Sequence, residues 1–372
     1  MQRSDFIAIK FFDCFAGIGG FRSGLEQAGG FECIGFCEID KHAAAAYRAM
    51  YDTEKEVFYD DITRIDTSRM PDFDLFVGGF PCQAFSCCGK MGGFDDPRGA
   101  LFFELARIIK DKRPAAFFLE NVPALLGHQS GRTFGTILYT LSELGYCVEW
   151  MVHNSARFGV PQSRRRAYIV GHRRPERAGQ IFPVECGDCE SPVEIIGGPQ
   201  GSRVYSAEGT AVTQCYSGRF DARHPCRALA TASQHRVAGS GGGGGKTGLY
   251  FFDMNPDFDF TENARCLLAR YDSGVSNHKG VNSRIFVEGN FPGAVRFIDK
   301  NGVLRIGILR KLMPLESWRL QGFEDSQFNK VAALGMRDGQ LYKMAGNAVS
   351  VPVIKAIGEK IRDVIFDGGE EK

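Results

Sequence analysis

Gly78-Gly79-Phe80-Pro81-Cys82-Gln83-Ala84-Phe85-Ser86 follows the apolar run Phe73-Asp74-Leu75-Phe76-Val77 and decides how the rest of this 372-residue chain is read. The run is short and ends in paired glycines, the pattern of an inner strand of a parallel sheet. In open α/β sheets ligands lie just beyond the carboxyl ends of the strands, so Cys82 falls where chemistry is usually done. A lone cysteine is more often a small buried hydrophobe. The neighbouring segments have to decide between the two.

Upstream, residues 6–12 read as a strand, 20–28 as a helix after a glycine turn, 31–36 as a second strand and 41–50 as an alanine-rich helix. Downstream, 101–110 read as a helix, and 115–119 and 167–170 as strands. This alternation predicts an α/β fold with a doubly wound, mostly parallel sheet. From about 184 to 309 periodicity fades and glycine accumulates, including Gly241 to Gly245, which reads as a flexible loop. The tail Gly245-Lys246-Thr247 is not a phosphate-binding loop, because residue 240 is serine and no clear strand precedes it. Helical patterning resumes over 310–320, and 348–366 read as a closing helix that completes the first domain.

The formal net charge of +1 excludes a generally basic nucleic-acid binder, but the distribution is uneven. Arg157, Arg164, Arg165, Arg166, Arg173, Arg174 and Arg177 crowd a stretch whose only acid is Glu176. Such a stretch is a solvated face or a phosphate-holding one. The chain's 12 cysteines show no small-domain spacing framework, which fits a reducing compartment. The pair Cys186-Gly187-Asp188-Cys189 has no second pair at zinc-ribbon distance, so no metal is expected. Neither a signal peptide nor a membrane span is read in the chain.

Asp13-Cys14-Phe15-Ala16-Gly17-Ile18-Gly19-Gly20 follows the first strand and opens a helix. Such a turn lets backbone approach a nucleoside and offers a helix start to an anionic group, which suits nicotinamide, flavin or S-adenosylmethionine alike. Glu38 closes the second strand, where an acid commonly binds ribose hydroxyls.

Pro81-Cys82-Gln83, Glu120-Asn121-Val122, Gln162-Ser163-Arg164-Arg165-Arg166, Arg319-Leu320-Gln321-Gly322-Phe323 and Gln340 to Pro352 stand in the order used by DNA cytosine-5 methyltransferases, the restriction-modification type of bacteria and phages, which this chain resembles over residues 6–186 and 304–357. The resemblance implies an S-adenosylmethionine-dependent, Rossmann-like catalytic domain formed by 1–185 and 335–372. It also implies a smaller, irregular or β target-recognition domain at 186–309, with 310–334 as hinge and return segment. It implies a donor site of Phe15, Gly17, Gly19, Gly20, Glu38, Ile39, Asp61, Ile62, Phe80, Asn347 and Ala348. There Phe15 lies against the adenosine, Asp61-Ile62 meets the adenine, and S-adenosylhomocysteine is the product. The partners implied are double-stranded DNA and a cognate restriction endonuclease, for a cytoplasmic monomer in a bacterial or phage-infected cell.

The chemistry explains the residue types. Carbon 5 of cytosine is a poor nucleophile until a nucleophile adds to carbon 6, and a thiolate at Cys82 suits that addition and its later reversal. Charge then develops at ring nitrogen 3, where Glu120 can protonate or hydrogen-bond. Asn121 would fix the loops around this acid, while Arg164 and Arg166 would supply fixed positive charge. Because the ring is stacked in duplex DNA, the base must be flipped out, and residues 86–98 fit a closing loop in which Cys88 replaces the small hydroxyl residue often found there. Arg219, Arg227, Gln234, Arg270, Asn282 and Arg284 are among the candidate base readers. The transfer-RNA branch of the family and a silent DNA-binding relative are the alternatives.

Overall fold

A computed structural model of the chain describes residues 8–81, 101–174, 180–182, 184, 193–196, 203–206, 249–253, 259–261, 264–267, 283–299 and 302–366. These residues divide into two units. One draws on Met1–His153, Arg165–Phe220 and Val353–Lys372, the other on Asn154–Arg164 and Asp221–Pro352.

The first unit is built on Ile9–Cys14 (β1), Gly20–Ala28 (α1), Phe31–Cys37 (β2), Lys41–Met50 (α2), Val57–Tyr59 (β3), Leu75–Gly79 (β4), Leu101–Lys112 (α3), Ala116–Asn121 (β5), Ala124–Gly127 (α4), Arg132–Glu143 (α5) and Cys147–Asn154 (β6). After Gln162–Ser163 (β7), Arg165–His172 (β8) returns to the same sheet, whose order is β3-β2-β1-β4-β5-β8-β6. The strands from β3 to β5 run parallel, and β8 is antiparallel to β5. The doubly wound sheet expected from the sequence is therefore present, and its order reverses between β1 and β4. That is the switch point at which such sheets bind ligands.

Local chemistry sets the elements. Asp40 accepts hydrogen bonds from the His42 and Ala43 amides and starts α2, which alanines then carry. On one face of the sheet Phe12, Phe76 and Phe117 pack with Leu105, Ile108 and Ile109 of α3 and with Phe134, Ile137 and Leu141 of α5. On the other, Phe21 of α1 meets Phe118 edge-on at 5.1 Å. The last helix, Val351–Ile361, lies against α1: a Cβ on Gly358 would stand 2.8 Å from Leu25, and Arg362 donates to the carbonyls of Ala28 and Gly29.

Val193–Ile196 (β9) and Arg203–Ser206 (β10) pair antiparallel. The second unit holds a five-stranded sheet of Leu249–Asp253 (β11), Asp259–Thr261 (β12), Ser283–Glu288 (β14), Val295–Ile298 (β15) and Leu304–Arg310 (β16) in the order β12-β11-β14-β16-β15, while Ala264–Arg265 (β13) pairs with β7. Pro314–Arg319 (α6), Asp325–Ala332 (α7) and Asp338–Asn347 (α8) follow, before Val351–Ile361 (α9).

Two expectations change. Arg310 is still strand, and α6 starts only at Pro314, because proline is tolerated in the first helical turn and nowhere further in. The closing helix begins at Val351 rather than 348, and its last turn, Arg362–Phe366, widens to a π-helix. Within the stretch where periodicity fades, one described strand accounts for part of it. Ile285 and Phe286 are neighbours in β14 and both buried, so both faces of that strand are apolar and no alternation shows. The glycine tract at 241–245 lies outside the described residues.

Two substitutions probe this frame. Gly171 is paired with Phe117 across β8 and β5, and a Cβ there would stand 2.0 Å from the ring. Gly171→Ala is expected to lower unfolding free energy by about 1–3 kcal/mol in urea titrations. Asp13 is fully buried at the end of β1, and burial pushes its carboxyl up to about 8 against the pull of Arg22 and the Tyr47 hydroxyl. Unfolded, the same group titrates near 3.8, so raising the pH through this window ionises only the unfolded chain and removes stability. Asp13→Asn has no such proton, and relative to the parent its stability should improve between pH 4 and 8 by on the order of a few kcal/mol, read from melts across that range.

Candidate active site

The turn after β1 is left-handed at Phe15 (φ 56°), Gly17 (φ 56°) and Gly19 (φ 75°). Among the described residues a Cβ on Gly17 would meet nothing within 4 Å, which leaves space above this turn for a ligand. Among the described residues no side chain caps α1, which begins at Gly20, and that leaves the helix start suited to an anionic group. Glu38 is tied to the turn itself: one carboxylate oxygen accepts the Gly17 amide at 2.7 Å and the other the Asp40 amide at 2.7 Å. Burial pushes the Glu38 carboxyl up while these two amides draw it down. Ile39, next in the chain, is 72% exposed.

Asp61 caps a short helical turn through the Thr63 amide and hydroxyl, bonds that hold its carboxyl below the usual range, and Ile62 beside it is buried. Glu38, Ile39 and Asp61 share the wall of a cleft of about 350 Å³ with Lys41, Ala44, Arg48 and Phe58. An apolar side chain in water, a carboxylate fixed at the turn and an uncapped helix start fit a nucleoside carrying an amino-acid tail.

Cys82 and Cys88 lie outside the described residues, whose first stretch ends at Pro81. The backbone leading to them is well held. Gly79 pairs with Glu120 across β4 and β5, and Asn121, fully buried, donates to the Phe80 carbonyl at 3.1 Å while its own oxygen accepts the Val122 amide at 2.9 Å. The Phe80 ring is buried 5.7 Å from that of Phe102. Glu120 is 9% exposed, and its Oε1 stands 2.9 Å from Nε of Arg166, whose Nη1 donates to the Arg165 carbonyl. Arg166 reaches the acid because Glu120 faces Tyr168 across β5 and β8, which sets residue 166 on the neighbouring diagonal of the same face.

Arg164 belongs to the second unit and has other partners there. Its guanidinium donates to the carbonyls of Leu267 at 3.0 Å, Gly346 at 3.0 Å and Ala348 at 2.8 Å. It thereby joins the segment holding two more sequence-selected residues, exposed Asn347 at the end of α8 and buried Ala348 after it. Gly346-Asn347 closes that helix.

Two buried amides brace the same unit. Gln162 donates to the Leu320 carbonyl at 2.9 Å and accepts the Leu267 amide at 2.8 Å; Gln321 donates to the Ala345 carbonyl at 2.8 Å. Both stand in motifs quoted from the sequence, yet their partners are distant in the chain and no local pattern announces the role. Of the candidate base readers named above, Arg284 in β14 is described and the others are not. Among the described residues no cluster of His, Cys, Asp and Glu could hold a metal ion, and no helix is long and apolar enough to cross a membrane.

Comparison with known proteins agrees with this layout. The model of the C-5 cytosine-specific DNA methylase family matches residues 9–235 and 253–363. Type II methyltransferase M1.ScrFI of Lactococcus lactis subsp. cremoris is 38% identical over 357 residues, covering 96% of this chain and 78% of that protein. Type II methyltransferase M.HpaII of Haemophilus parainfluenzae is 38% identical over 356 residues, covering 94% and 88%. Among solved structures, the Entamoeba histolytica methyltransferase EhMeth shares the fold, with a TM-score of 0.61 at 20% identity over 98% of this chain and 99% of that one. A switch-point turn, a buried acid held by arginine and matches running almost the full length of the chain lead to one conclusion: it belongs to the C-5 cytosine-specific DNA methylase family and is a DNA (cytosine-5-)-methyltransferase.

Proposed function

We propose that the chain methylates carbon 5 of cytosine within a short sequence of double-stranded DNA, with S-adenosylmethionine as donor and S-adenosylhomocysteine as product. The observation that carries the mechanism is the buried Glu120–Arg166 ion pair, next to an Asn121 amide that grips the Phe80 carbonyl two residues before Cys82. The Cys82 thiolate adds to carbon 6 of a flipped-out cytosine, forming a carbon–sulfur bond and leaving an enamine whose carbon 5 is nucleophilic. Glu120 supplies a proton or hydrogen bond to ring nitrogen 3 as charge gathers there, and Arg166 keeps the carboxyl oriented. The donor contributes an electrophilic sulfonium methyl. Loss of the proton on carbon 5 then expels the thiolate and restores the aromatic ring.

Phe15, Gly17, Gly19, Gly20, Glu38, Ile39, Asp61, Ile62 and Phe80 hold the donor in this scheme, with Asn347 and Ala348 added from the far end of the chain. Arg164 serves both as fixed charge for the reaction and as the clamp on the Gly346–Ala348 backbone. Residues 1–185 with 335–372 form the catalytic domain, 186–309 the target-recognition domain and 310–334 the hinge. The protein works as a monomer in the cytoplasm of a bacterial or phage-infected cell, in a restriction-modification system whose endonuclease cuts the same site.

The test is base-resolution mapping of 5-methylcytosine on DNA from a methylation-free host expressing the chain. Methylation at one sequence context is expected, and Cys82→Ser should abolish it. Modified transfer RNA beside unmodified DNA would move the substrate to RNA, and a soluble, donor-binding protein that modifies neither would be a silent relative. With purified protein, Glu120→Gln should lower kcat by roughly 10²–10⁴-fold, and an unchanged rate removes that acid from the chemistry.

A further inference from the structure

Tyr51, which follows α2, and Arg22, in α1, stand in none of the motifs quoted from the sequence, yet both close on the glycine turn. The Tyr51 hydroxyl donates to the Gly19 carbonyl at 2.8 Å, lies 3.4 Å from the Ile18 carbonyl, and is 2.6 Å from the Ser23 hydroxyl, which supplies the complementary donor. Burial drives its phenol well above the usual range, so it remains a donor at every physiological pH. The ring is as tightly placed as the hydroxyl: a Cβ on Gly19 would stand 2.5 Å from it.

Arg22 holds Tyr51 in turn. Its guanidinium carbon lies 4.4 Å from the centre of the Tyr51 ring and 5.4 Å from that of Tyr47, within cation–π range. The same group is fixed by Glu26 at 2.7 Å, by Glu56 at 2.8 Å and by the Asp52 carbonyl at 3.2 Å. A side chain only 8% exposed with this many partners has one geometry. That geometry locks the residues after α2 against the start of α1.

We propose that Tyr51 and Arg22 are positioning residues for the methyl donor: together they hold the Gly17–Gly19 turn in its left-handed form, and the donor binds a turn already shaped for it. The proposal rests on the reading of that turn as the donor site. Neither side chain touches the reacting atoms, so the two act on donor binding and leave the chemical step alone.

The experiment measures donor KM, DNA KM, kcat and calorimetric affinity for S-adenosylhomocysteine in the full chain, with thermal midpoints alongside. Tyr51→Phe keeps the ring and loses one oxygen, and should raise the donor KM and the dissociation constant about tenfold while kcat and DNA KM stay within about twofold. Arg22→Gln should do the same. The double variant should bind the donor no more weakly than the worse single one, because the two act as one unit. Parent-like donor affinity in Tyr51→Phe, or single losses that multiply in the double variant, overturns the clamp; if Arg22→Gln does not fold, Tyr51→Phe alone decides. Glu38→Ala separates the two layers of argument: weakened binding there leaves the donor reading standing whatever the clamp does, and undiminished binding overturns that reading and the clamp with it.

Discussion

Strands β1 and β4 approach so closely at their carboxyl ends that a Cβ on Gly78 would stand 2.6 Å from the Cys14 carbonyl oxygen. Everything at this edge of the sheet depends on that closeness. Because β1, β4 and β5 are paired in parallel, with Cys14 beside Gly78 and Gly79 beside Glu120, the glycine turn, the Phe80-Pro81 segment and the acid all leave the sheet at one level. A larger residue at 78 would spread the switch point and separate the turn after β1 from the Phe80-Pro81 segment after β4.

The site also shows how polar groups are kept in a dry interior. Asn121, Gln162 and Gln321 are fully buried, and each donates its amide to a backbone carbonyl far away in the chain. Such groups hold loops in place by making any other arrangement leave a carbonyl unpaired. Arg164 does the same with a charge, joining three carbonyls from two separate stretches of chain. Apolar packing could fill the same volume without fixing those backbones.

How much of this could be read in the sequence depended on distance along the chain. The helix at Lys41–Met50 was legible because its cap and its alanines are adjacent, and the parallel strands because each is an apolar run closed by a turn. The candidate site was legible as a set of motifs. Its wiring was not: the Phe80 carbonyl finds Asn121, and Gln162 finds Leu267 and Leu320, only once the chain has folded. Strand β14 escaped notice since Ile285 and Phe286 bury opposite faces, and the start of α6 was misplaced by a strand whose apolar residues run up to the helix.

The hydrogen bonds from Arg362 to the carbonyls of Ala28 and Gly29 span 334 and 333 residues. During synthesis, the face of α1 that α9 covers is therefore made more than 300 residues before its cover, roughly 15–70 s earlier at ordinary elongation rates. Through that interval Leu25 and Ala28 of α1, buried in the folded chain, lack the helix that packs against them.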